Sequence, residues 1–304
     1  MSTPFRLLLW LASVTPLALG RRLAIAVGHM AYWLHAGLRG RSLESLTIAF
    51  GHDLSQGELR SLARRSLAEL AMTLFEFLKM PSMTDSEVGR LCPIEGLELL
   101  EPLTGKPAIY FSGHIGNVIM LGAALTRRGH RLTTVVRPFT SAGMRELARQ
   151  VAGRFDISVI ERRGKNIGAQ ASEVLKRGEV LGLITDQDAG ARGIFVDFFG
   201  RPASTFLGTA QLSRELGVPV VPMFCGRRPD GSLFARVEPP MVLTFTGDQV
   251  FDDSENTARH VAILERWVRD FPGSYLWLHR RWKTQPPSEG VAPPLPLRPT
   301  EPPG

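Results

Sequence analysis

The stretch Pro107-Ala108-Ile109-Tyr110-Phe111-Ser112-Gly113-His114-Ile115-Gly116-Asn117 decides how this chain folds. It begins as an apolar run of the length of a buried strand and then passes through Gly-His into the start of a helix. A strand that ends in this way presents an imidazole at the edge of an α/β sheet, where reacting groups are commonly found. His114 is therefore the first candidate for a functional residue.

Strand and helix patterns alternate on the C-terminal side of this stretch. Apolar, β-branched runs predict strands at 108–111, 132–136, 157–160, 180–184 and 218–224, and helical patterns lie between them near 118–128, 143–155, 167–177 and 205–216. Later strands are predicted at 233–237 and 241–245, followed by an amphipathic helix at 254–271. This order indicates βαβ units, so we expect an α/β fold with a mostly parallel central sheet flanked by helices.

The first 85 residues have a helical pattern instead. Ser55 and Glu58 have the spacing of a capping box, and leucines at helical intervals follow them. Nearer the N-terminus, Gly20-Arg21-Arg22 separates two apolar runs, 7–19 and 23–34. These runs fit a cleaved signal peptide, an interfacial helix pair or a helical hairpin buried in the core. We favour the interfacial pair, because a membrane span needs about 20 apolar residues.

The composition narrows the class of partner. The 304 residues carry 36 Lys and Arg against 29 Asp and Glu, a formal net charge of +7, which indicates an anionic partner such as a phospholipid surface or an acidic carrier protein. Nucleic acid is disfavoured, because the basic residues are scattered and no nucleic-acid-binding motif is present. Cys92 and Cys225 lack metal-ligand spacing, so we expect neither a metal site nor a disulfide scaffold, and a reducing compartment fits.

Three segments follow from these patterns. We expect a helical, membrane-associated N-terminal segment at 1–85, an α/β domain at 86–285 and a proline-rich, disordered tail at 286–304.

Two further polar segments follow predicted strands, as His114 does. Val136-Arg137-Pro138 follows the strand at 132–136, and Asp186-Gln187-Asp188 follows the strand at 180–184. Taken alone, each of these segments fits an ordinary loop or turn that follows a strand. The carboxyl ends of parallel strands lie at one edge of a sheet, however, so these segments are expected to meet His114 in one cleft.

The chain resembles the late acyltransferases of lipid A biosynthesis, the lauroyl and myristoyl transferases. Bacterial lysophospholipid acyltransferase-like proteins and the mycobacterial phosphatidylinositol mannoside acyltransferases are relatives of that family. The resemblance covers residues 1–284. The motifs that carry it are 112–117 (SGHIGN), 136–138 (VRP), 185–188 (TDQD), 195–203 (FVDFFGRPA), 217–222 (GVPVVP) and 277–283 (WLHRRWK).

The resemblance implies a glycerolipid-acyltransferase-like fold and a cofactor-free O-acyltransferase of lipopolysaccharide synthesis. A fatty acyl chain would pass from acyl-carrier protein or acyl-CoA to a hydroxyl of a glycolipid or lysolipid, at the cytoplasmic face of the bacterial inner membrane. His114 would take the proton of the attacking hydroxyl. Backbone N–H groups near Gly113, or Arg137, would stabilise the oxyanion. The candidate substrate-binding residues are Asn117, Arg137, Arg192 and Arg201, whose guanidinium groups suit lipid phosphates.

One position departs from the family pattern, in which Glu or Asp stands five residues after the histidine. Here that residue is Ile119. We expect another carboxylate to take its place, with Asp186 and Asp188 the best candidates and Asp197 and Glu161 weaker ones. Two alternatives are a slow enzyme with an unsupported histidine, and a catalytically impaired protein that binds lipid or forms a complex.

The motif Trp277-Leu278-His279-Arg280-Arg281-Trp282-Lys283 has two interpretations. It is either an amphipathic segment that closes the fold or an anchor at the membrane interface.

Overall fold

The computed structural model describes residues 2–162 and 166–287, so the predicted tail lies almost entirely outside the described residues. The described chain forms ten α-helices and nine β-strands. The helices are α1 Thr3–Val14, α2 Leu17–Leu34, α3 Ala36–Phe50, α4 Gln56–Lys79, α5 Asp85–Leu91, α6 Val118–Thr126, α7 Ala142–Arg154, α8 Ile167–Lys176, α9 Gly208–Leu216 and α10 Gln249–Asp270. The strands are β1 Ile94–Glu95, β2 Ala108–Ser112, β3 Leu132–Val136, β4 Ser158–Glu161, β5 Val180–Ile184, β6 Ile194–Phe198, β7 Arg201–Thr205, β8 Val220–Arg227 and β9 Leu233–Val237.

Seven strands form a central sheet in the order β1-β9-β8-β2-β5-β3-β4, and only the β8–β9 pair is antiparallel. The predicted mostly parallel α/β fold is thus confirmed. Strand β2 lies in the middle and is buried on both faces. Ile109 and Phe111 pack towards α3, α4 and α8 to α10, whereas Ala108 and Tyr110 pack towards α5, α6 and α7. This alternation follows from the two-residue repeat of a strand.

The N-terminal helices pack on α4, which begins with the predicted capping box. The hydroxyl of Ser55 accepts a hydrogen bond from the Glu58 N–H (3.4 Å), and the Ser55 N–H donates to the Glu58 carboxylate (2.8 Å). Helix α2 turns its small residues towards α4. Gly28 allows the two backbones to approach closely, since a Cβ there would lie 2.5 Å from the Ala68 Cα.

The opposite face of α2 is an exposed apolar stripe of six side chains, with Trp33 65% exposed. The stripe consists of Leu19, Leu23, Val27, Met30, Trp33 and Leu34. A hairpin buried in the core is therefore not what the structure contains. No helix in the described ranges is long and apolar enough to cross a membrane.

Two local predictions differ from the structure. The prediction of a strand at 241–245 was wrong: this segment is a loop in the structure. Pro239 and Pro240 precede it, and side chains of α10 bind its backbone. The Asn256 side chain accepts from the Thr244 N–H (2.8 Å). The β6–β7 hairpin was not predicted, because its two turn residues with positive φ are Phe199 (56°) and Gly200 (70°) rather than the usual Asn-Gly.

A buried carboxylate, Glu76 of α4, connects four elements. It accepts two hydrogen bonds from Arg227 at the end of β8 (both 3.0 Å), one from Arg21 of α2 (2.7 Å) and one from Asn117 before α6 (2.8 Å). Burial alone would raise the pKa of Glu76. The charges and hydrogen bonds of Arg227 and Arg21 outweigh that effect and lower the pKa, so the group is ionised.

We expect Glu76→Gln to destabilise the fold by about 3–5 kcal/mol, because the substitution leaves the buried Arg227 charge uncompensated. Urea unfolding followed by circular dichroism measures the change. The control is Glu173→Gln, which removes an exposed pair with Lys176 and should cost less than about 1 kcal/mol. Equal, small losses in the two variants would contradict the structural role of Glu76.

Candidate active site

The register of two neighbouring strands brings His114 and Asp186 together. Strands β2 and β5 are parallel, and Ser112 pairs with Ile184 at their carboxyl ends. His114 and Asp186 each lie two residues beyond this pair. The Thr185 N–H donates to the Ser112 carbonyl (3.0 Å), which continues the strand pairing to the edge where the two side chains meet.

The Asp186 carboxylate holds His114 at two points. Its Oδ1 lies 2.7 Å from the His114 Nδ1, and its Oδ2 accepts the His114 backbone N–H (3.0 Å). Gly113 lets α10 pack closely on this loop, because a Cβ there would lie 2.5 Å from the Leu264 Cδ1. With Nδ1 carrying the proton that the carboxylate binds, the free lone pair of the neutral ring is on Nε2.

The two groups affect each other's pKa in opposite directions. Burial would lower the pKa of His114, but the Asp186 charge and hydrogen bond outweigh it and raise the pKa above its ordinary value. Burial would raise the pKa of Asp186, but His114 outweighs it and lowers the pKa. The His114 side chain is 32% exposed and that of Asp186 only 3%, so solvent reaches the imidazole while the carboxylate is shielded from it.

Residues 274–284, here called the closing segment, bind both loops of the site, namely the loop after β2 and the loop after β5. The Leu276 N–H donates to the His114 carbonyl (3.1 Å), and the Gly116 N–H donates to the Ser274 carbonyl (2.9 Å). On the other loop, the Nε2 of His279 accepts the Asp188 N–H (2.9 Å). Burial lowers the pKa of His279, which keeps that acceptor nitrogen unprotonated.

The closing segment also supplies buried polar groups around Asp186. Burial, and then the negative charge of Asp186, raise the pKa of Tyr275 well above its ordinary value. Arg281 is buried and donates to the Ser204 carbonyl and the Thr205 hydroxyl. Trp277 and Trp282 are buried as well, so this motif closes the fold and is not a membrane-interface anchor. The sequence identifies the motif at 277–283, but it does not predict that His279 and Tyr275 lie at the site.

The other carboxylate candidates lie away from the imidazole. Asp188 accepts hydrogen bonds from the Thr284 hydroxyl (2.9 Å) and N–H (3.4 Å) instead. Asp197 accepts the Gly200 N–H (2.9 Å) in the β6–β7 turn. Glu161 is exposed at the end of β4. Ile119, at the position of the family acid, packs against the apolar cluster beneath α6.

Asn117 has a structural role rather than the predicted contact with substrate. It is fully buried, its Oδ1 caps α6 by accepting the Met120 N–H (3.0 Å), and its Nδ2 donates to Glu76 (2.8 Å). Neither amide group is left for a lipid.

The side chains of the three candidate arginines are exposed and have no hydrogen bond or ion pair within the described ranges. Arg137 follows β3, at the same edge of the sheet as His114. Arg162, which sequence reasoning did not propose, lies near it, since the positive charge of Arg137 adds to burial in lowering the pKa of Arg162. Arg192 and Arg201 lie on the β5–β6 connection and at the start of β7, and no contact joins them to His114.

Two open cavities lie elsewhere on the molecule. One of about 460 Å³ lies between α2, α4 and the β8–β9 turn, and one of about 260 Å³ lies between α1, α4 and α7. His114 borders neither of them. Over residues 2–162 and 166–287, no group of three His, Cys, Asp or Glu side chains has an arrangement that could hold a metal ion. Cys92 and Cys225 are buried free thiols.

A partly exposed imidazole supported by a buried carboxylate, at the carboxyl edge of an α/β sheet, defines a site suited to general-base chemistry. Residues 6–284 match the model of the bacterial lipid A biosynthesis acyltransferase family, and the chain belongs to that family. The resemblance drawn from the motifs is thus confirmed, and the protein is an acyltransferase.

Individual members of the family are similar to this chain over most of their length. The lipid A biosynthesis lauroyltransferase of Escherichia coli K12 is 28% identical over 290 residues, covering 93% of this chain and 90% of the relative. The palmitoleoyltransferase of the same strain is 25% identical over 285 residues, covering 92% and 90%. A phosphatidylinositol mannoside acyltransferase of Mycobacterium tuberculosis is 26% identical over 216 residues, covering 66% and 68%.

We expect Asp186→Asn to lower the pKa of His114, because the substitution removes the charge that favours the imidazolium while burial still opposes it. NMR titration of the ring protons measures this pKa, with His114→Gln identifying the signal among the seven histidines. Asp188→Asn is the control, since that carboxylate binds Thr284 rather than the ring. The same pKa in wild type and Asp186→Asn would contradict the pairing.

Proposed function

We propose that this protein transfers a fatty acyl chain from a thioester donor, acyl-carrier protein or acyl-CoA, to a hydroxyl of a glycolipid or lysolipid. His114 is the general base and Asp186 its charge partner. The observation that carries the proposal is the contact of the Asp186 carboxylate with both Nδ1 and the backbone N–H of His114.

The proposed chemistry uses Nε2 of the neutral imidazole. Nε2 removes the proton of the acceptor hydroxyl as its oxygen attacks the thioester carbonyl carbon, and a tetrahedral oxyanion forms. Collapse of this intermediate breaks the C–S bond, and the imidazolium returns the proton to the departing sulfur. Asp186 stabilises the imidazolium in between. Arg137 or backbone N–H groups near Gly113 are the proposed oxyanion donors.

Asp186 supplies the carboxylate that the family pattern places at the position of Ile119. Of the explanations open from the sequence, the contact favours a substitute carboxylate over an unsupported histidine. In serine proteases, loss of the orienting charge costs about 10⁴-fold in rate, or roughly 5 kcal/mol. The rival function is a catalytically impaired protein that binds lipid or forms a complex, and it requires that this pair contribute nothing to turnover.

The names of the relatives support a glycolipid acceptor. The lauroyltransferase and palmitoleoyltransferase act in lipid A biosynthesis, and the mycobacterial relative is an acyltransferase of phosphatidylinositol mannoside. Lipids of this kind carry phosphate, which suits the net charge of +7 and the exposed guanidinium of Arg137.

The apolar stripe of α2 supports membrane association. Helix α1 exposes further apolar side chains, namely Leu7, Leu8, Trp10, Leu11 and Val14. Exposed apolar surface of this extent, with Arg22 beside it, suits burial at the boundary of acyl chains and headgroups. We propose that α1 and α2 lie in the interface at the cytoplasmic face of the inner membrane, beside the site that uses its lipids.

We expect His114→Ala to lower acyl transfer by about 10²- to 10⁴-fold. Asp186→Asn should lower it by up to about 10⁴-fold, because the ring loses its charge partner. Asp188→Asn should cost less, since Asp188 does not reach the ring. Transfer of radiolabelled acyl chains from acyl-carrier protein to extracted bacterial lipids measures the rates, and circular dichroism verifies folding. Wild-type transfer by folded His114→Ala would refute the assignment of the base, and the absence of transfer by wild type would favour the rival function.

We expect Trp33→Glu to weaken binding to lipid vesicles by about tenfold or more, because it replaces an apolar side chain by a charge in the interface. Vesicle sedimentation measures the binding. The control is Val242→Glu, at an apolar position that is 81% exposed in a loop before α10. Equal effects of the two substitutions would argue against an interface formed by α2.

A further inference from the structure

The cavity of about 460 Å³ between α2, α4 and the β8–β9 turn is not used by the proposed chemistry. Its volume lies within the roughly 300–1,000 Å³ range of ligand clefts. Four arginines and one histidine are among its lining residues: Arg64, Arg65, Arg227, Arg228 and His29. A cavity with this lining favours an anionic ligand.

The basic groups of this cavity are not all used within the protein. Arg64 is exposed and has no hydrogen bond or ion pair to any described residue. Arg227 is buried against Glu76, yet its Nε has no hydrogen-bond partner within the described ranges. Guanidinium groups suit phosphate oxygens because they present planar, paired donors.

The two carboxylates that line the cavity already have partners. Glu69 accepts hydrogen bonds from Arg65 (2.8 Å) and from the Ser274 hydroxyl (2.6 Å). Asp230 accepts from the Ser232 hydroxyl (2.7 Å) and N–H (2.9 Å) in the turn. The arginines of the lining are paired in the same way, Arg65 with Glu69 (2.8 Å), Arg227 with the buried Glu76 (3.0 Å) and Arg228 with Glu95 (2.9 Å). Arg64 is the lining guanidinium that stays without an ion pair to the described residues, so it is the group that a phosphate would contact.

The cavity lies beside the apolar stripe. Ile25 and His29 of α2 line it, and His29 lies one helical turn before Trp33 of the exposed stripe, so these two side chains are neighbours on the helix surface. A lipid whose acyl chains contact the stripe can thus place its headgroup at the cavity mouth.

We propose that this cavity binds the phosphate of an anionic membrane lipid, as a site separate from the one that contains His114. It would hold the protein on anionic membrane in a fixed orientation, with the phosphate against Arg64 and the acyl chains along α2.

The test measures binding at fixed ionic strength, to vesicles of phosphatidylcholine and to the same vesicles with phosphatidylglycerol added. Wild type should prefer the anionic vesicles, and Arg64→Ala should reduce that preference by about five- to tenfold, because a charge-assisted contact is lost. Arg64→Lys should restore part of it. Binding to phosphatidylcholine alone should stay unchanged in every variant, since it depends on the apolar stripe.

The matched control is Arg60→Ala, an exposed arginine one turn earlier on α4 that does not line the cavity. An equal loss from Arg60→Ala would overturn the proposal in favour of diffuse surface charge, and the absence of any Arg64-dependent preference would overturn it outright. Titration with glycerol 3-phosphate separates the sources. Arg64-dependent binding of this soluble probe together with a vesicle preference supports the headgroup site, whereas binding of the probe without a vesicle preference overturns the lipid assignment. Binding by His114→Ala should equal that of wild type, which keeps this test independent of acyl transfer.

Discussion

The register between β2 and β5 is the constraint on which the site depends. Because Ser112 pairs with Ile184, the residues two positions further along each strand lie at the same level, and there the chain has His114 and Asp186. A slip of one residue would turn one of the two side chains to the opposite face of the sheet and break the contact. Burial on both faces of β2 makes such a slip costly, since Ile109 and Phe111 pack in one cluster and Ala108 and Tyr110 in the other.

The same register explains how a chain with Ile119 can still place a carboxylate on the imidazole. An acid five residues after the histidine would come from the helix that begins at Val118, whereas Asp186 comes from the neighbouring strand, 72 residues away. Asp186 also binds the His114 backbone N–H, so one group sets both the position of the loop and the tautomer of the ring. Ile119 is then free to pack in the apolar cluster beneath α6.

The sequence was enough to predict features that depend on local pattern and on parallel pairing. Six strands of the central sheet and its carboxyl edge follow from runs of apolar residues, and the residues directly after these runs narrow the carboxylate to Asp186 or Asp188. The closing segment could not be predicted in this way, because its contacts span 91 residues from Asp188 to His279 and depend on how the chain returns after α10. Asn117 likewise resembled a ligand contact in the sequence, whereas in the structure its Oδ1 caps α6 and its Nδ2 donates to Glu76 of α4.

The buried Glu76 connects the surface proposed to meet the membrane with the site. Arg21, on the face of α2 opposite the apolar stripe, and Asn117, three residues after His114, donate to the same carboxylate. Each contact is short, and the group they share is inaccessible to solvent, so displacement of α2 relative to α4 would strain the start of α6. The orientation of the apolar stripe relative to the His114 loop is therefore fixed by side chains inside the fold. This arrangement suits the proposed acyl transfer at a membrane, because binding through the stripe would bring His114 to a defined position beside the lipid surface.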